Sequence, residues 1–132
     1  MRLFIDTNIF LDLLFDRVFA NEATMILNAI KEGLHEGFVS DITLLNIDYV
    51  AHKQSIDTRA FLSLIVEHFT ILGANTAIFA QALTLPNDDL EDSVSALIAH
   101  EAQCEWIVTN DQTFYASLVP TISATAFVER FL

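Results

Sequence analysis

Three acids that lie far apart in the chain share one kind of neighbourhood. Asp6 follows the apolar run Leu3–Ile5, Asp111 follows Trp106-Ile-Val108 and Thr109-Asn110, and Asp92 closes the acidic group Asp88-Asp89-Leu-Glu91-Asp92. A further apolar run, Gly37-Phe-Val, ends on Ser40-Asp41. If the apolar runs are strands of one parallel sheet, side chains that follow them meet at the carboxyl edge, where open α/β sheets bind their ligands. Carboxylates crowded there raise one another's pKa unless a positive charge sits between them. Mg²⁺ and Mn²⁺ take oxygen ligands, and carboxylate sites that hold them act on phosphate esters.

Each acid also has a plainer reading. Asp6, Thr7 or Asn8 can cap the helix that Ile9, Phe10, Leu13 and Leu14 announce. Asp88 as cap with Glu91 three residues on forms a capping box, and acids in a first helical turn are favoured by the helix dipole. Asp92, one turn beyond Asp88, is less readily explained as a cap, and it precedes Ala96 and Ala99 at helical spacing. It is therefore the better ligand of its group. At Asp111 the cap and ligand readings both stand.

The elements that must position these residues alternate. After the first strand and a short helix closing near Phe15, Asn21 or a neighbour caps a helix with Ala23, Ile26, Leu27 and Ile30 on one face, ending near Gly33. Gly37–Ser40 is a second strand and leads into a helix with Leu44, Leu45, Ile47 and Val50. Asp57-Thr58 opens another helix, Phe69–Leu72 is a third strand, and a helix runs from about Thr76 to Leu83. Asp88 to Gln103 reads as a helix with Val94, Leu97, Ile98 and Ala102 inward, Trp106–Val108 as a fourth strand, Phe114 to Leu118 as helical or irregular, Val119 to Ile122 as a fifth strand, and Ser123 to Leu132 as a terminal helix. Such alternation predicts βαβ units and a parallel sheet with right-handed crossovers.

Composition bounds the rest. The 132 residues suit a single domain with a real core, spanning 1–132, and 53% are hydrophobic. Eleven Phe against two Tyr and one Trp are chiefly core material. Eighteen acids against six bases give a net charge of -12, the reverse of the usual nucleic-acid binder, and only convergence of several acids on a cation reconciles the two. The single cysteine, Cys104, excludes an internal disulfide and, inside a helical pattern, reads as a buried thiol in a reducing compartment. Asp6, Asp12 and Asp16 interrupt the N-terminal apolar run, so it is no signal peptide, and no stretch reaches the ~20 apolar residues of a membrane span. A soluble, cytoplasmic protein is expected. The four histidines show no zinc-ligand spacing.

Phe4-Ile-Asp6-Thr-Asn8-Ile-Phe-Leu-Asp12, Val39-Ser40-Asp-Ile-Thr43-Leu, Asp89-Leu-Glu91-Asp92-Ser-Val-Ser-Ala-Leu-Ile-Ala99 and Trp106-Ile-Val-Thr109-Asn-Asp111-Gln-Thr-Phe114 together resemble, in order and spacing, the motifs of the PIN-domain family. The resemblance covers nearly the whole chain. It implies a three-layer α/β/α sandwich around a mainly parallel sheet of four to five strands, and Mg²⁺- or Mn²⁺-dependent cleavage of single-stranded RNA, often by the toxin of a toxin-antitoxin pair. It puts Asp6, Asp92 and Asp111 on acidic metal-site positions and Thr7, Asn8, Ser40 and Thr109 on supporting polar ones.

Two positions depart from the family pattern. The Glu expected six residues after Ser40 is Asn46, which can orient a water or substrate oxygen but brings no charge. Asp48 is no obvious substitute, because two helical residues turn about 200°. The second acid expected just after Asp111 is Thr113. The site keeps three of the four usual principal acids, and reads as weakened or altered.

Arg17, Lys53 and Arg59 are the candidates for phosphate contact, and an antitoxin protein is the expected partner. Apolar surface on the helices from Asn21 to Ile30 and from Asp57 to Val66 suggests a homodimer. The alternative is a catalytically silent PIN-like binding module. A receiver or haloacid-type phosphatase would also place an acid after the first strand. The former needs paired acids there and a lysine after the last strand, the latter an acid at position 8, and the chain has neither.

Overall fold

Short apolar segments separated by helices leave strands two to five residues long, and these strands form one parallel sheet. The structure, a computed structural model, describes residues 1–132. Its strands are β1 (Arg2–Ile5), β2 (Glu36–Ser40), β3 (Phe69–Leu72), β4 (Trp106–Val108) and β5 (Thr121–Ile122), in the order β3-β2-β1-β4-β5. Every pairing is parallel. The chain therefore builds outward from β1 to β3 on one side, crosses over, and builds β4 and β5 on the other. The reversal of winding falls between β1 and β4, which is where such sheets open a crevice at their carboxyl ends.

Side chains alternate across the sheet as the strand pleat requires. Leu3 and Ile5 of β1, Val39 of β2 and Val108 of β4 join one apolar cluster, with Ile9, Phe10, Ile26, Ile47, Ile65 and Phe127 from the covering helices. Those helices are α1 (Thr7–Leu14), α2 (Ala20–Lys31), α3 (Asp41–His52), α4 (Arg59–His68) and α7 (Ala124–Phe131). Phe4, Phe38 and Ile107 point the other way, onto α5 (Thr76–Ala82) and α6 (Leu90–Glu101). Three layers result, with strands covered on both faces. Gly37 has a packing reason: a Cβ there would stand 2.5 Å from the ring of Phe69 and 2.8 Å from Ile30.

Several element ends differ from the sequence reading. Ala20 already belongs to α2, so Asn21 lies inside the first turn and caps nothing; the cap position is Phe19, with no side-chain bond. Residues 114–118 take the irregular of the two forms expected for them, and β5 is shorter than the apolar stretch that suggested it. α6 stops at Glu101, because Gln103 adopts left-handed backbone (φ 58°) and the N–H of Cys104 turns back to the carbonyl of Ala99 at 2.9 Å. Cys104 thus sits in the turn before β4. It is buried, and burial pushes its thiol up to about 11, which makes it unreactive at neutral pH. No helix is long and apolar enough to cross a membrane.

Candidate active site

Asp6 is where β1 becomes α1, and its two oxygens are committed to different elements. The backbone is still extended (φ -73°, ψ 153°), and the Asp6 N–H continues the sheet ladder to the Val108 carbonyl at 3.1 Å. One carboxylate oxygen accepts from the Thr7 N–H at 2.8 Å, the other from the Thr109 hydroxyl at 2.7 Å. The first bond caps α1 and the second crosses to the end of β4, so the cap and site readings describe the same side chain. Burial pushes the Asp6 carboxyl up to about 6, against the pull of the Thr109 and Thr7 bonds, and the charges of Glu91 and Asp111 add to the rise.

A chain of hydroxyls braces this corner from α3. Ser40 caps α3 by accepting the Thr43 N–H at 3.1 Å, its hydroxyl lies 3.2 Å from that of Thr43, and the Thr7 hydroxyl donates to the Thr43 hydroxyl at 3.3 Å. Thr7 therefore supports Asp6 through its main chain, while its side chain ties α1 to α3. Asn8 makes no bond to a carboxylate, and its Oδ1 is buried without a hydrogen-bond partner.

The acidic group before β4 is arranged one residue later than the capping-box reading has it. Asp89, not Asp88, caps α6, accepting the Asp92 N–H at 3.1 Å. Asp92 therefore occupies the third helical position, where dipole and cap favour an acid, and is not beyond their reach as its spacing from Asp88 suggested. Its carboxyl is pushed up to about 7 by burial, then by the charges of Asp89, Asp6, Asp111 and Glu91. Glu91 is held across the gap between α6 and α3, where the Asn46 side-chain amide donates to it at 2.8 Å.

At the end of β4, Asp111 opens no helix. Its N–H donates to the Thr109 hydroxyl at 3.1 Å, and one carboxylate oxygen accepts the Thr113 N–H and hydroxyl at 2.9 and 2.8 Å. Thr113, standing where a second acid was expected, thus pins Asp111. Beside Asp111 a cleft of about 440 Å³ opens, lined by Phe19, Asn110, Gln112, Ser123 and Thr125 among others. Asn110 fastens the region, donating to buried Asp12 at 3.0 Å and accepting the Ala124 N–H at 3.0 Å.

Asp6, Asp92 and Asp111 are thus near enough to act on one another through charge, and Thr7, Ser40 and Thr109 form the supporting bonds around them. No three Asp, Glu, His or Cys side chains are gathered tightly enough to grip one ion between them. The donor set nevertheless suits a hard divalent cation: all its acids present oxygen, and neither Lys nor Arg forms an ion pair with them. Glu91 and Asn110 are the contributors that sequence reasoning missed. Glu91 was visible only as a capping partner, and nothing in the chain signals its bond to a residue 45 positions away. Of the cations proposed for phosphate contact, Arg17 lies 3.9 Å from Asp12 and Lys53 lies over the Tyr49 ring.

A parallel sheet covered on both faces, with acids near the crevice where its winding reverses, defines a class of α/β domains. A family profile described as "PIN domain" matches residues 2–113, and the chain belongs to that family. No curated protein matches it in sequence. Among solved structures, a chain of a toxin-antitoxin complex from Klebsiella pneumoniae is similar at 22% identity and a TM-score of 0.69, covering 92% of this chain and 97% of that one. A chain of VapBC2 from Rickettsia felis, solved bound to a DNA fragment from its promoter, is similar at 15% identity and a TM-score of 0.69, covering 93% and 98%. These likenesses bear out the three-layer PIN-like fold.

Proposed function

We propose that this protein is a metal-dependent endoribonuclease that hydrolyses phosphodiester bonds in single-stranded RNA, acting in the cytoplasm as the toxin of a toxin-antitoxin pair. The observation that carries the reading is that Asp6, where the winding of the sheet reverses, and Asp92, at the start of α6, both lie within reach of the charges of Asp111 and Glu91. Membership of the PIN-domain family supports nuclease chemistry. The Klebsiella chain's origin in a toxin-antitoxin complex supports an antitoxin partner.

Asp6, Asp92 and Asp111 would hold Mg²⁺ or Mn²⁺. Such an ion lowers the pKa of a water and offsets charge that grows on a phosphate under attack. Thr109 and the Thr7 N–H hold the Asp6 oxygens in place, as partners behind metal ligands characteristically do. Ser40, through Thr43, keeps Thr7 from shifting, and Asn8 offers a buried amide oxygen close in sequence to Asp6. We also propose a homodimer joined through α2 and α4, between which Leu13, Leu27, Phe61 and Leu64 line an apolar channel. A dimer mass in light scattering at tens of micromolar is the expected result, and a monomer mass removes this part.

The rival reading, a silent PIN-like binding module, is favoured by Asn46 and by the net charge of -12. Calorimetric titration with Mn²⁺, paired with Mn²⁺-dependent cleavage of a panel of single-stranded RNAs, separates the two. Binding and cleavage, both lost in Asp6→Asn, are expected. Pure protein that neither binds nor cleaves leaves only the module.

A further inference from the structure

We infer that Glu91, aimed by Asn46, supplies from α6 the acid that α3 lacks, making the site one of four carboxylates. The inference rests on the nuclease reading and concerns how this chain completes the site. Thr43 and Asn46 are three residues apart and share one face of α3. Thr43 is joined to Thr7, the neighbour of Asp6, so Asn46 stands one turn along α3 from the corner that holds Asp6. Asp48, the other acid of α3 in reach of this position in sequence, is engaged elsewhere, accepting from the Thr58 hydroxyl at 2.6 Å.

The chemistry of the Asn46–Glu91 pair favours a functional role over a structural one. A neutral amide holds the carboxylate without neutralising it, whereas Lys or Arg would cancel the charge. Only one Glu91 oxygen accepts from Asn46, which leaves the other for a cation. The bond is exposed and joins two flexible side chains, so its contribution to folding is small. Glu91 also stands next to Asp92 in the first turn of α6. Asn46 is thus a positioning residue, where the motif alone suggests a partner for water or substrate.

The test is Mn²⁺ affinity by calorimetry on the full chain, with thermal unfolding of the metal-free protein as a check on folding. Glu91→Gln keeps the side-chain length and can still accept from Asn46, and is expected to weaken Mn²⁺ binding ~10-fold or more without lowering the metal-free midpoint. Asn46→Ala is expected to weaken it severalfold. The double variant Asn46→Glu with Glu91→Gln returns the acid to α3 and is expected to recover most of the lost affinity. Asp88→Asn, which removes an exposed acid of the same segment, controls for general charge and is expected to leave affinity unchanged. Native affinity in Glu91→Gln, or an equal loss in Asp88→Asn, overturns the inference while the nuclease reading stands. No Mn²⁺ binding by the native chain overturns both.

Discussion

The two ends of the sheet treat charge in opposite ways. At the amino end Arg2 donates to Glu36 at 3.3 Å, gives two N–H groups to the Ala102 carbonyl at 3.0 and 2.6 Å, and lies over the Phe38 ring at 4.4 Å. Ala102 is the C-cap of α6, so the guanidinium serves the negative end of that helix. The N-terminal amine meets His35 at 3.1 Å. At the carboxyl end of the same strands, the carboxylates of Asp6, Glu91 and Asp111 have hydroxyl, amide and backbone partners, and neither they nor Asp92 has a cation. One end is compensated and serves the fold. The other holds unbalanced charge, which lowers stability until something positive arrives.

Exchanging charge at the two ends should therefore have opposite effects. Asp6→Asn is expected to reduce RNA cleavage ~100-fold or more, since a ligand is lost, while raising the thermal midpoint of the metal-free protein at pH 8. Asn can still accept one of the two bonds, and the Thr109 hydroxyl can turn to accept from its amide. Arg2→Ala is expected to destabilise the chain by about 1 kcal/mol in urea unfolding, because the half-buried C-cap carbonyl of α6 loses a charged donor, with kcat unchanged. If Asp6→Asn unfolds earlier than the native chain at pH 8, the carboxyl end is structural after all.

The pH dependence sharpens the contrast. Asp6 and Asp92 titrate at about 6 and about 7 in the folded chain, above the ordinary value of 3.8. The folded state then holds protons that the unfolded chain has released, so this contribution to stability is full below pH 3.8 and is lost as pH rises through 6 and 7. Metal-free protein is expected to show a falling urea midpoint between pH 5 and 8. Mn²⁺ at millimolar concentration should flatten that slope and stabilise more at pH 8 than at pH 5, where protons compete with it. A midpoint that is level from pH 5 to 8 without metal would mean that neither burial nor neighbouring charge raises Asp6 and Asp92 in the folded chain.

How far the sequence could be read depends on the range of the interaction concerned. β3 and β4 were legible to the residue, because an apolar run bounded by polar residues is a local signal. Asp6, Asp92 and Asp111 were legible as acids at element ends, and the order of strands brings their charges within reach of one another. The cap of α6 is Asp89 where the capping-box spacing gave Asp88, because two adjacent acids offer the same local chemistry and the sequence pattern does not separate them. Asn46–Glu91 and Asn110–Asp12 were illegible for a different reason: each joins segments distant in sequence through one hydrogen bond, and no periodicity marks it.

The end of α6 offers the finest test, since it connects both ends of the sheet. Its N-terminus carries Asp89, Glu91 and Asp92, and its C-cap carbonyl receives Arg2. The helix stops because Gln103 takes a left-handed conformation, which carries a steric penalty for a side chain with a Cβ and little for glycine. Gln103→Gly is expected to raise stability by roughly 0.5–1 kcal/mol, the strain relieved outweighing the added freedom of the unfolded chain. Because the change lies at the compensated end, Mn²⁺ affinity and its pH dependence should not move. If stability rises but Mn²⁺ affinity falls with it, α6 is transmitting strain from its last turn to Glu91 and Asp92, and the two ends are coupled through one helix.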